Sequence, residues 1–186
     1  MEYAGKTVAV LVEDQYQDLE VWYPILRLRE AGARVITVGT GKKMYRSKHG
    51  YEVEANVDAS AVDPDAIDGV VVPGGYAPDL LRRYPAVVNL VRDVFHQGKL
   101  VAAICHGPWV LVSAGVLKGR RSTCFFAIKD DVINAGSSYQ DAEVLVDGNL
   151  VTSRKPDDLP AFMREVLKAL VRQPETVAAG KTRGET

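Results

Sequence analysis

The sequence predicts an α/β protein built around a mostly parallel sheet, and three observations carry that expectation. Short apolar, β-branched runs of strand length recur along the chain. Most are followed by a longer segment whose apolar residues fall at helical spacing. The joints between them are rich in glycine, proline and acidic residues. Such alternation marks βαβ units, in which parallel strands are joined through helical crossovers. Ligands of these sheets bind beyond the carboxyl ends of the strands, so the turns that follow the strands are the places to search for chemistry.

The elements follow in order. "KTVAVLV" (6–12) reads as a buried strand, and polar "EDQYQ" leads from it into a helix over 18–32. There Leu19, Trp22, Tyr23 and Leu26 share helical spacing, Asp18 can cap the start and Gly32 can close the end. "RVITVGT" (34–40) is the next strand, and 42–57 alternates briefly, as a hairpin or irregular excursion does. "IDGVVVPGG" (67–75) is a strand ending in a double-glycine turn. A Val- and Leu-rich helix (85–97) then precedes strand 99–104. Helices are expected over 106–117, 128–136 and 157–171, with a hairpin over 142–153 turning at Asp147, Gly148 and Asn149. Residues 1–172 read as one domain, and the polar 173–186 as a flexible tail.

Bulk properties exclude several function classes. A formal net charge of −1 gives no reason to expect a nucleic acid or an anionic membrane as partner. No apolar run approaches the roughly 18–20 residues of a membrane span, and the first residues lack the pattern of a secretory signal, so a cytoplasmic location is expected. The two cysteines, Cys105 and Cys124, form neither a disulfide framework nor a CxxC pair, and the three histidines form no HExxH; no metal site and no cofactor are expected. "GTGKK" (39–43) lacks the first glycine and the Ser or Thr of a phosphate loop. The basic run Lys42, Lys43, Arg46 and Lys48 reads as a solvated loop.

Three turns share the functional edge, and the sharpest is "AAICHGPW" (102–109). Cys105 ends a strand and precedes a helix, where unpaired backbone N–H groups and the helix dipole would stabilise a thiolate. This arrangement is a nucleophile elbow, although a small cysteine also packs well at a strand end. Gly107 and Pro108 suit the turn and the helix start. His106 is the nearest base, yet neighbouring side chains on a sharp turn diverge, so that it could orient a substrate instead, or reach the thiol if an acid holds it in place. Gly74 and Gly75 let the backbone approach a ligand, and their amides, with that of His106, could hold an oxyanion. Glu20, early in the first helix, faces the same edge; burial beside the thiol would raise its pKa and make it an acid able to hydrogen-bond sulfur and move a proton. Pro24 cannot donate to the Glu20 carbonyl, so the helix is expected to be disturbed there. His49 and His96 read as loop and helix-surface residues, and Cys124 as core.

With these residues in place, the chain resembles the ThiJ/PfpI family, and within it the PfpI-type intracellular proteases and their deglycase-like stress-protein relatives. The resemblance runs from about Lys6 to Arg172, on "DLEVWYP", "VVVPGGYAPDLLR", "AAICHGPWVLVSAGVLKGR", "IKDDVINAG" and "AEVLVDGNLVTSRKPDDLPAFMRE". It implies a flavodoxin-like, three-layer sandwich, Cys105 as nucleophile, Glu20 as the carboxyl bonded to its sulfur and His106 beside it. It also implies that Asp79 reaches a neighbouring subunit's histidine, and that the chain forms a homodimer or a hexamer. Gln17, Asp79 and Phe125 depart from the pattern, standing where relatives carry glutamate, glutamate and tyrosine. These departures weaken peptidase chemistry more than attack on small carbonyls.

The function expected is therefore a cofactor-independent cysteine enzyme acting on a peptide or protein, or on α-oxoaldehydes and their protein adducts. The alternative is a non-catalytic redox sensor or chaperone-like stress protein working through oxidation of Cys105.

Overall fold

The computed structural model describes residues 3–171; the expected tail, 173–186, lies outside the described residues. The chain begins with β1 (Thr7–Leu11), α1 (Asp18–Ala31) and β2 (Arg34–Gly39), then a hairpin of β3 (Met44–Arg46) and β4 (Glu52–Glu54). It continues through β5 (Val57–Asp58), β6 (Gly69–Val72), α2 (Ala77–Leu81), α3 (Pro85–His96), β7 (Leu100–Ile104) and α4 (Pro108–Ala114). The last part holds β8 (Arg121–Ser122), α5 (Lys129–Asn134), β9 (Ser138–Tyr139), β10 (Val144–Asp147), β11 (Leu150–Ser153) and α6 (Leu159–Val171).

Seven strands form the central sheet in the order β10-β11-β7-β6-β1-β2-β5. Every pairing is parallel except β10 with β11. β6 and β7 are buried at every residue, because helices cover both faces and leave no solvent side to alternate toward. α3 turns Val87, Leu90, Val91, Val94 and Phe95 inward at helical spacing. α1 packs against α6, and α3 against α4, completing a flavodoxin-like α/β sandwich.

Some local expectations change. Gln17, not Asp18, caps α1: its side-chain oxygen accepts the Glu20 N–H at 3.0 Å. Asp18 instead ties α1 to the hairpin, accepting from Ser47 Oγ at 2.5 Å and meeting His49 Nδ1 at 2.6 Å. α1 runs unbroken through Pro24, since packing of Val21, Ile25 and Leu28 on the sheet holds the helix where one backbone bond is missing. α4 starts at Pro108, leaving Cys105 to Gly107 as turn. α2 and the β8–β9 pair were not foreseen; at five and two residues they are too short to show periodicity.

Candidate active site

The turns after β1, β6 and β7 meet at one edge. Tyr16 and Gly75 form an antiparallel bridge, flanked by Gln17 N–H donating to Gly74 O (3.2 Å) and Tyr76 N–H donating to Gln15 O (2.9 Å). Gly75 sits at φ +80°, and a Cβ there would lie 2.5 Å from both Gln15 O and Gln17 N. Only glycine allows that closeness.

Cys105 is the joint between β7 and α4. Its φ of +61° is left-handed; among the described residues only Gln15, in the facing turn, shares this as a non-glycine. Such a conformation costs about 1–3 kcal/mol and persists where its surroundings impose it. Here the Cys105 N–H donates to Ser153 O (3.1 Å), and its carbonyl accepts from Phe125 N–H (2.9 Å). The elbow sets the thiol close enough to the backbone N–H groups of Gly75 and His106 for both to favour its charged form.

Glu20 closes the other side and is fully buried. Its Oε2 accepts the Gly74 N–H at 2.8 Å, so that amide serves the carboxyl and is not free for an oxyanion; the expected three-amide hole reduces to Gly75 and His106. Oε1 makes no hydrogen bond of ordinary geometry, yet carboxyl and thiol lie close enough to shift each other's proton affinity. Gly74 makes the approach possible: a Cβ there would be 2.5 Å from Glu20 Oε2 and 2.6 Å from Cys105 Cβ.

Burial raises Glu20 to about 7, against the opposing effects of the Gly74 amide and the thiol. Burial, then the Glu20 charge, pushes the Cys105 thiol up to about 12, against the two amides. This corrects the expectation of a low-pKa thiol standing clear of the corner, because the sulfur is tucked in with only 7% of the residue exposed. The two groups titrate as a pair. Once one proton has left, the remaining negative charge can sit on either group. Thiol-to-carboxylate proton transfer then makes a thiolate without adding a second buried charge.

His106 does reach the thiol, contrary to the expected divergence: Nδ1 lies 3.2 Å from Cys105 Sγ. The left-handed backbone at Cys105 brings the adjacent side chains together. The imidazole stacks on Phe125 (5.0 Å, 28°) and meets Trp109 edge-on at 5.1 Å. Burial first, then Lys48, lowers its pKa, so the neutral ring is available as a base. Asp79 does not join it within the chain and is paired with Arg83. Cys124 is fully buried, as expected of a core residue. His96 lies against Phe95. The "GTGKK" amides of Thr40 and Lys42 both donate to Tyr45 Oη, at 2.6 and 2.9 Å, and so are not open to a phosphate. Lys48, read from sequence as part of a solvated loop, lies near enough for its charge to act on both Glu20 and His106. Only tertiary placement reveals it. Among the described residues, no cluster of His, Cys, Asp and Glu is arranged to hold a metal, and no helix is long and apolar enough to cross a membrane.

Comparison with known proteins bears on the family and the fold. A deglycase of Pyrococcus abyssi (strain GE5 / Orsay) is 48% identical over 163 residues, covering 88% of this chain and 98% of the relative. Protein/nucleic acid deglycase 2 of Escherichia coli (strain K12) is 44% identical over 169 residues, covering 89% and 98%. A crystal structure from Anabaena variabilis, a two-domain protein with DJ-1/ThiJ/PfpI-like and ferritin-like domains, superposes with a TM-score of 0.86 at 40% identity. It matches 94% of this chain, which spans 52% of that longer one. The DJ-1/PfpI family pattern matches residues 6–169, and the chain belongs to that family.

Proposed function

We propose that the chain is a cysteine enzyme attacking electrophilic carbonyls, and that α-oxoaldehydes or their adducts on proteins are its substrates. The observation that carries this reading is the Cys105–Glu20 pair, a thiol and a buried carboxyl of raised pKa facing two convergent amides. The Cys105 sulfur adds to the aldehyde carbon, and the carbonyl electron pair moves to oxygen, which takes the proton that the thiol had passed to Glu20. Gly75 and His106 N–H groups, released from sulfur as its charge is consumed, can turn to that oxygen. Neutral His106 removes the C–H proton of the hemithioacetal and returns one to the adjacent carbon, giving a thioester of the hydroxy acid. Water cleaves the thioester and restores the thiol. The names of the deglycase relatives support this substrate class. Peptide hydrolysis through an acyl-enzyme uses the same sulfur. Within one chain Asp79 is paired with Arg83, so that branch depends on the Asp79 of a neighbouring subunit.

Parallel assays with methylglyoxal and a fluorogenic peptide, with Cys105→Ala as blank, test the proposal. Turnover of methylglyoxal lost in the variant is expected; wild-type-like activity in Cys105→Ala overturns it. The redox alternative draws on the same two amides and acid, which could also hold sulfinate oxygens. Mass analysis after mild peroxide checks it, and absence of added oxygen on Cys105 ends it.

The molecule is read as a homo-oligomer. Leu19 and Leu26, 55% and 59% exposed, line α1 with Tyr23 at i, i+4 and i+7, a stripe suited to a second copy. A dimer, or a hexamer built from dimers, could bring Asp79 to a neighbour's His106. A reducing cytoplasm would keep Cys105 and Cys124 as the free thiols found here.

A further inference from the structure

A base that carries a proton from one carbon to its neighbour must be held closely in place. The usual device is a third group hydrogen-bonded to the base. Within this chain the His106 imidazole has no such group. Among the described residues its one ring hydrogen bond is the contact of Nδ1 with the Cys105 sulfur at 3.2 Å, and Asp79 is paired with Arg83. Two aromatic rings enclose the imidazole instead. Phe125 lies along its face, 5.0 Å away at 28°, and Trp109 meets it edge-on at 5.1 Å and 68°. Trp109 is itself held from outside the site. Its indole N–H donates to Asp131 Oδ2, on α5, at 2.8 Å, and the Arg82 guanidinium stands over its ring at 5.8 Å. Arg82 is fixed in turn, its Nε donating at 2.9 Å to Ser113 Oγ, one turn along α4 from Trp109. A chain of direct contacts therefore runs from the exposed Asp131 carboxylate through indole and imidazole to the sulfur.

An indole N–H commonly finds an acceptor because the group must be paired, and the bond to Asp131 could serve only to fasten α4 to α5. Here the fastened ring is the one that touches the base, and it is clamped from both α5 and the end of α2. We propose that Trp109, anchored by Asp131, is a positioning residue that holds His106 for the C–H step of the reaction. The inference rests on the reading of Cys105 as nucleophile and of α-oxoaldehydes as substrates. In that step neutral His106 takes the proton from the former aldehyde carbon of the hemithioacetal. The C–H pair becomes a carbon–carbon double bond, and the π pair of the adjacent carbonyl moves to its oxygen. The imidazolium then protonates the second carbon, while the hydroxyl proton of the first passes to the enediolate oxygen and leaves the thioester. A loosened imidazole slows this step, but not the addition of sulfur, whose proton goes to Glu20. Aromatic walls also orient the ring without a carboxylate bonded to it, which would raise its pKa and favour the charged form.

The test separates the two steps in the wild type, Asp131→Ala, Asp131→Asn and Trp109→Phe. Turnover is measured with methylglyoxal carrying hydrogen or deuterium on the aldehyde carbon, and the nucleophile is read separately as the rate of Cys105 alkylation by iodoacetamide. Asp131 is exposed, so its replacement leaves the core intact, and Trp109→Phe keeps an aromatic ring while removing the anchoring N–H. In Asp131→Ala and Trp109→Phe, kcat is expected to fall about three- to tenfold with KM kept within about twofold, as loss of orientation alone implies. The deuterium effect on kcat should be at least as large as in the wild type, and alkylation should stay within about twofold of it. Asp131→Asn, which keeps an oxygen to accept the indole N–H, should restore kcat to within about twofold. An unchanged kcat in Asp131→Ala and Trp109→Phe overturns the role of Trp109 and leaves the reaction standing. So does a fall in alkylation equal to the fall in turnover, or a smaller deuterium effect, since either places the loss in another step. A kcat in Asp131→Asn as low as in Asp131→Ala overturns the anchor. No methylglyoxal turnover by the wild type, with Cys105 still alkylated, overturns the underlying reading of the reaction.

Discussion

Glu20 is the most consequential single residue, because its buried carboxyl destabilises the fold while supplying the acid of the proposed chemistry. Its pKa is raised by burial from 4.5 to about 7. Below about pH 4.5 both folded and unfolded states hold the proton. Between there and about pH 7 only the unfolded state ionises freely, so stability falls as pH rises, and above pH 7 the loss is constant. At about 1.4 kcal/mol per pH unit this amounts to roughly 3 kcal/mol. Glu20→Gln should therefore gain stability relative to wild type as pH rises from 4.5 to 7.5 in urea titrations; a difference independent of pH would show that the carboxyl is not desolvated. Gly74 makes the companion case. Gly74→Ala would place a methyl 2.5 Å from Glu20 Oε2 and 2.6 Å from Cys105 Cβ. A loss of about 1–3 kcal/mol from overpacking is expected, with methylglyoxal turnover down by a hundredfold or more, read as kcat/KM beside thermal unfolding. The identities of Cys105, Glu20 and Gly75 were legible in the sequence, since an abrupt strand end followed by His-Gly-Pro leaves few readings. The contact between His106 and the thiol was not, because it depends on a positive φ at a non-glycine residue, which no local pattern announces.

At the scale of elements, α1 carries the acid and the hairpin of β3 and β4 braces it. Gln17 accepts the Glu20 N–H, so Gln17→Ala removes both a helix cap and one constraint on the carboxyl. A destabilisation of about 0.5–2 kcal/mol is expected by chemical denaturation, and a variant as stable as wild type would mean the cap is dispensable. The long elements were visible because each shows a clear period: β6 and β7 as continuous apolar runs, α3 and α6 as stripes. The caps were harder. Asp18 and Gln17 are adjacent, both can accept from a helix start, and the choice falls to Gln17 because Ser47 and His49 engage Asp18. That engagement joins residues 29 and 31 positions apart, which no local pattern announces.

The whole molecule is a sheet whose central strands β1, β6 and β7 deliver three turns to one place, and that arrangement follows from parallel order rather than from any single motif. Sequence alternation was enough to predict it. The outer surface tells a second story, since α1 presents Leu19, Tyr23 and Leu26 to solvent while its opposite side carries Glu20 inward. Leu26→Glu should lower the mass seen by size-exclusion chromatography with light scattering toward that of one chain, leaving the circular dichroism spectrum unchanged; an unchanged mass would remove α1 from any subunit interface. The central claim is that sulfur and carboxyl share one proton, and the pH dependence of Cys105 alkylation by iodoacetamide tests it most directly. The wild-type rate should inflect near pH 7, where Glu20 titrates, and the inflection in Glu20→Gln should move above about 8.5, the ordinary thiol value. Identical inflections in the two proteins would contradict the account.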